Sequence, residues 1–175
     1  LVMDKMVCWL AEHPEETQGT RFSVNLMPST LMQRGIATDI IRLFTHHRIS
    51  PACIVIEVTE AQAFSTAECT MLNIRLLRQA GFRIAIDDFG TGYSNYERLK
   101  HLNADIVKID GCFIRHILTC PEDVIIVQSI CALAKFRGLS VVAEFVETEP
   151  QRELLYSLGV DYLQGYLVGK PALLV

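Results

Sequence analysis

Residues Cys53–Val58 read CIVIEV, a nearly continuous run of β-branched side chains. Such side chains crowd a helix and suit a pleated strand. A strand that is apolar at successive rather than alternate positions must be covered on both faces, which is the situation of a parallel sheet flanked by helices. Five more segments share this character: Arg21–Leu26, Arg83–Asp87, Ala104–Ile109, Leu139–Ala143 and Tyr162–Gly165. They begin roughly 20 to 35 residues apart, the room a crossover helix needs.

Helical signals fill the gaps. Met3, Met6, Val7 and Leu10 have helical spacing. Ser29 is a candidate N-cap for one helix carrying Leu31, Ile36, Ile40, Ile41, Leu43 and Phe44 towards His47. Ser65-Thr66-Ala67-Glu68 fits a capping box ahead of a helix that Gly81 ends. A short helix is expected over Tyr96–His101, a longer one from Pro121 to Gly138, and a second capping box, Thr148 with Gln151, opens a helix that closes at Gly159. The fold class is α/β: six strands alternating with helices, as a TIM-type (β/α) barrel or an open doubly wound sheet.

A hydrophobic fraction of 50% and a mean hydropathy of +0.28 over 175 residues describe one globular domain and exclude disorder. The net charge of −4 excludes a basic surface that wraps DNA or RNA. The six cysteines show no C-x-x-C pair and mostly fall in apolar segments, so they read as reduced core residues of a cytoplasmic protein. The longest apolar stretch, Val124–Phe136, is interrupted by Gln128, Ser129 and Lys135 and is shorter than the ~20 residues that span a bilayer.

Chemistry in a parallel barrel gathers at the carboxyl ends of its strands. Those ends carry, in order, Asn25; Glu57 with Glu60; Asp87 and Asp88; Lys108 and Asp110; Glu144 with Glu147; and Gln164. The pair in RIAIDDFGTGYSN constrains most. Adjacent carboxylates at an apolar strand end repel each other and resist desolvation, and a divalent cation reverses both penalties. Each residue also has a plainer reading. Asn25 could close a strand through an Asx turn. Glu57, flanked by Ile56 and Val58, requires a partner if buried. Glu60 reads as a first-turn helix residue or, in preference, a brace for a neighbouring loop, Glu147 as a helix-dipole complement, and Gln164 is unspecific. Lys108 either pairs with Asp105 or Asp110 or faces the barrel mouth as a catalytic cation. The five histidines fall away from the strand ends and are assigned no chemistry.

Taken together, SVNL, EVTE, DDFGTGYS, VKIDGCF, VVAEFVET and QGYLVGKP closely resemble the EAL domain family of bacterial signalling proteins. That resemblance implies a modified TIM barrel that opens cyclic di-GMP to linear pGpG with two Mg²⁺ or Mn²⁺ ions. It implies Asn25, Glu57, Asp87 and Asp88 as metal ligands, Glu144 as the proton acceptor for the attacking water, and Lys108 as the cation that orients that water. It also implies that Glu60 anchors the DFGTGYS loop and that Gln164 lines the dinucleotide pocket. The family's Glu-Ala-Leu motif and the arginine after it are expected upstream of Leu1 with two further strands, which makes this an incomplete barrel with six of eight strands. Phe145 stands where the family usually has glycine, a ring that would crowd the pocket, and Met27 where it has serine.

The leading expectation is a cyclic di-GMP phosphodiesterase, weak or inactive as an isolated fragment. The rivals are a non-hydrolysing cyclic di-GMP receptor and a barrel aldolase using Lys108 as a Schiff-base amine. Fused sensory or GGDEF-type domains, and a homodimer through unpaired sheet edges, are the expected partners.

Overall fold

The computed structural model describes residues 2–63, 65, 67–91 and 104–172. Its strands are β1 (Phe22–Asn25), β2 (Ile54–Thr59), β3 (Arg83–Phe89), β4 (Ile106–Ile109), β5 (Ser140–Ala143) and β6 (Tyr162–Leu163). Its helices are α1 (Val2–Glu12), α2 (Pro28–Leu31), α3 (Ile36–His46), α4 (Glu60–Ala63), α5 (Glu68–Gln79), α6 (Pro121–Arg137) and α7 (Glu149–Leu158). The chain packs as two compact units; the first runs to Ala85 and the second takes over at Ile86, so the division falls inside β3.

In the first unit β1 and β2 run parallel, with Asn25 opposite Glu57. Every β2 residue from Ile54 to Val58 is buried, as the unbroken apolar run requires. Each fully buried aliphatic side chain there contributes about 1.5–3 kcal/mol. Helix α3 packs on α5, and the Phe44 ring meets Phe82 edge-on at 5.0 Å.

Two local expectations in this unit are corrected. The single helix from Ser29 is broken: α2 is one turn that starts at Pro28 behind Met27, and α3 restarts after Gly35, whose φ is +83°. Proline pre-sets the first helical φ, and a left-handed glycine ends the helical register. The buried Asn73 amide then donates to Leu31 O (2.8 Å) and Gln33 O (2.9 Å), taking up carbonyls that the break exposes. The Ser65 capping box does not form. Helix α5 starts at Glu68 behind Ala67 with no side-chain cap, and Ser65 Oγ accepts the Ala67 N–H.

A capping box forms instead at Thr59 and Gln62. Gln62 Oε1 accepts from Thr59 N (2.7 Å) and Oγ1 (3.0 Å), while Gln62 Nε2 reaches back to Leu26 O at 3.1 Å. The expected box at Thr148 repeats this arrangement in the second unit. Gln151 Oε1 accepts from Glu147 N (2.9 Å) and Thr148 N (3.0 Å), and Nε2 donates to Ile114 O at 3.1 Å. In each case a glutamine caps a helix with its oxygen and ties the segment to an earlier connection with its nitrogen.

In the second unit β4 pairs with β5 and β5 with β6, both parallel, with Lys108 opposite Val142 and Ala143 opposite both Ile109 and Leu163. Gly138 and Gly159, at φ +69° and +97°, close α6 and α7 as expected. β3 continues to Phe89, so Asp87 and Asp88 are strand residues, and Asp88 turns to φ +54°. The expected helix over Tyr96–His101 lies outside the described residues. All six cysteines are free, yet only Cys53 and Cys131 are buried, which corrects the reading of most of them as core. Among the described residues no helix is long and apolar enough to cross a membrane.

Candidate active site

In the first unit the ladder that pairs β1 with β2 carries Asn25 and Glu57 to the same level at the carboxyl ends of their strands. Glu57 is buried within β2, and Glu60, which opens α4, is buried as well. The loop assigned to Glu60 lies beyond the described residues from Gly92 onward.

In the second unit three strands each deliver one charged side chain to one place. Lys108 Nζ, from β4, donates to Asp87 Oδ1 on β3 at 2.7 Å and pairs with Glu144 Oε1, just past β5, at 2.8 Å. Lys108 is only 4% exposed. The carboxylates it meets, one on β3 and one just past β5, are Asp87 and Glu144. A Schiff-base role for Lys108 would require its Nζ to give up both ion pairs.

Asp87, Asp88 and Glu144 each offer an oxygen within 4.8 Å of the others. Burial, then the negative charges of Asp87 and Asp110, push the Asp88 carboxyl above the usual carboxylate range, with Lys108 opposing. Asp110 goes the other way: burial works to raise it, but the Cys112 N–H it accepts at 2.7 Å and the charge of Arg115 hold it low. The cluster thus gathers hard oxygen donors whose mutual repulsion one lysine only partly offsets. That donor set suits an oxygen-loving divalent cation rather than a thiophilic one.

Next to this cluster opens a cavity of ≈ 600 Å³. Its wall includes Glu144, Phe145, Glu147, Arg115, His116, Gln164, Gly165 and Tyr166. Gln164 borders this open space. Its position depends on Gly165, at φ +152°, where a β-carbon would run into the Val146 backbone. Gln164 N donates to Ala143 O (2.8 Å), and its carbonyl accepts the Val146 N–H (3.1 Å), which pins the QGY turn to β5. Phe145 forms part of the wall rather than filling the cavity. His116, a histidine assigned no chemistry, also stands in the wall. Arg115 and Tyr166 were missed altogether. No spacing rule points to them, since they reach the cavity from turns rather than strand ends.

The EAL domain family model matches residues 1–171. The chain belongs to the EAL domain family. At 61% identity over 97% of its length it is similar to the "Probable cyclic di-GMP phosphodiesterase PdeA" of Escherichia coli K12, of which it spans 23%. Among solved structures, the EAL domain of Mycobacterium smegmatis DcpA superposes with a TM-score of 0.90 at 31% identity, covering 98% of this chain and 78% of that one. The PaMucR phosphodiesterase in complex with c-di-GMP gives 0.85 at 36% identity, covering 97% of this chain and 67% of that one. Between the two architectures left open by the strand pattern, the EAL relatives decide for the TIM-type barrel, of which six strands stand among the described residues.

Proposed function

We propose that this EAL domain hydrolyses cyclic di-GMP to linear pGpG with Mg²⁺ or Mn²⁺. One observation carries the reading: Glu144 belongs at once to the acidic cluster and to the cavity wall. A phosphodiester seated in the cavity would meet that carboxylate beside the candidate cation site.

Asp87 and Asp88 are the proposed ligands from the second unit, the family resemblance adds Asn25 and Glu57, and Glu144 borders the site as its base. A divalent cation held there would supply Lewis acidity at the phosphodiester and lower the pKa of the attacking water. Glu144 accepts the proton that this water loses. Lys108 holds the Glu144 and Asp87 carboxylates in place through its two ion pairs and offsets charge gathering on the phosphate. Gln164 lines the dinucleotide's seat, and Glu60 braces the loop after β3.

The test is turnover of cyclic di-GMP with Mg²⁺ or Mn²⁺ against chelator, with pGpG resolved by chromatography. Metal-dependent pGpG, lost in Glu144→Gln, supports the reading. Binding without product would assign the receptor role instead. Neither binding nor product would overturn both.

A further inference from the structure

Beside Glu144 the cavity wall changes character. Phe145 follows Glu144 directly and takes φ +54°, a left-handed backbone that a bulky residue adopts only at a steric cost. Packing holds it there. The ring lies against Gly111, where a β-carbon would run into it, and the Arg115 guanidinium lies over the ring, 4.4 Å from its centroid. Gly111 and Arg115 belong to one turn, closed by Arg115 N donating to Gly111 O at 3.0 Å. The segment after β4 therefore makes room for the ring and also supplies the cation above it.

A guanidinium laid on an aromatic ring keeps its N–H edge for in-plane bonds and favours paired acceptors. In a hydrolytic site the scissile phosphate belongs at Glu144, beside Lys108. The neighbouring aromatic face is left for the flat part of a nucleotide. Guanine offers two adjacent acceptors, O6 and N7, that an arginine takes bidentately, whereas adenine offers one acceptor and one donor. We infer that Arg115, held over Phe145, is the residue that selects guanine over adenine in the cyclic dinucleotide. This rests on the phosphodiesterase reading of the same cavity.

Binding of cyclic di-GMP and cyclic di-AMP, which share both phosphates and differ at the base, is titrated in Ca²⁺, and kcat and KM are measured for cyclic di-GMP. Arg115→Gln should narrow the preference for guanine by roughly 5- to 150-fold, the worth of one bidentate base contact, and shift it towards adenine, the base glutamine pairs with. The rise should appear in KM, with kcat nearly unchanged. Phe145→Leu should narrow the preference too, add nothing to Arg115→Gln, and be rescued by Phe145→Tyr. An equal loss for both dinucleotides would mean a phosphate contact and overturn the inference. So would an unchanged preference, or a gain in affinity in Phe145→Leu. An unsubstituted chain that binds neither dinucleotide and makes no pGpG removes the phosphodiesterase reading first, and this one with it.

Discussion

Replacing Lys108 by methionine tests whether the lysine acts as the internal counter-ion of the acidic cluster. Methionine keeps much of the length and flexibility and removes only the charge. In the structure the ammonium stands 2.7 Å from Asp87 and 2.8 Å from Glu144 with little solvent around any of the three. At an effective dielectric of ~20 each contact amounts to about 6 kcal/mol of gross attraction, most of it offset by desolvation. Without the lysine, three carboxyl groups with oxygens within 4.8 Å remain with their main positive partner gone. Removing one partner of a buried pair costs about 3–5 kcal/mol, and for a chain of this size that lowers the melting temperature by on the order of 10 °C. The assay is urea or thermal unfolding in chelator and then in excess Mg²⁺. The more negative site should bind the cation more tightly, so the deficit seen in chelator should shrink in saturating Mg²⁺ by about 1.4 kcal/mol for each tenfold gain in affinity over the unsubstituted protein. A deficit that is the same with and without cation, or under about 1 kcal/mol in chelator, refutes the counter-ion argument.

Glu144→Gln should lower cyclic di-GMP turnover by at least about 100-fold, the scale of general-base catalysis, while calorimetry still detects binding. Gly165→Ala should destabilise the chain by about 2–3 kcal/mol in thermal melts and weaken dinucleotide binding, because a β-carbon would push the QGY turn off Val146. Cys112 is pushed up to about 11 by desolvation, then by the hydrogen bond and charge of Asp110 and the charge of Asp123. A raised thiol pKa means less thiolate at neutral pH, so iodoacetamide should label Cys112 at pH 8 about 100-fold more slowly than an ordinary thiol. Mass spectrometry should show that rate rising about tenfold per pH unit towards pH 11, and Asp110→Asn should speed it at pH 8.

Much of this protein is written in short-range signals. The unbroken run of β2 requires a strand covered on both faces, and Gly81, Gly138 and Gly159 end helices where a left-handed residue is needed. The strand ends could be read as a row of polar residues, and Asp87, Asp88, Lys108 and Glu144 come together accordingly. Those signals act within one element, so periodicity and capping reveal them. Tertiary structure decided which partner each side chain takes. Lys108 reaches a carboxylate 21 residues away because strand register sets the two side by side. Gln62 caps α4 and also ties it to the end of β1, because Leu26 O lies within reach of its amide. Arg115 settles over Phe145 because Gly111 leaves space for the ring. Each of those choices depends on the distance between separate elements, and no local pattern encodes that distance.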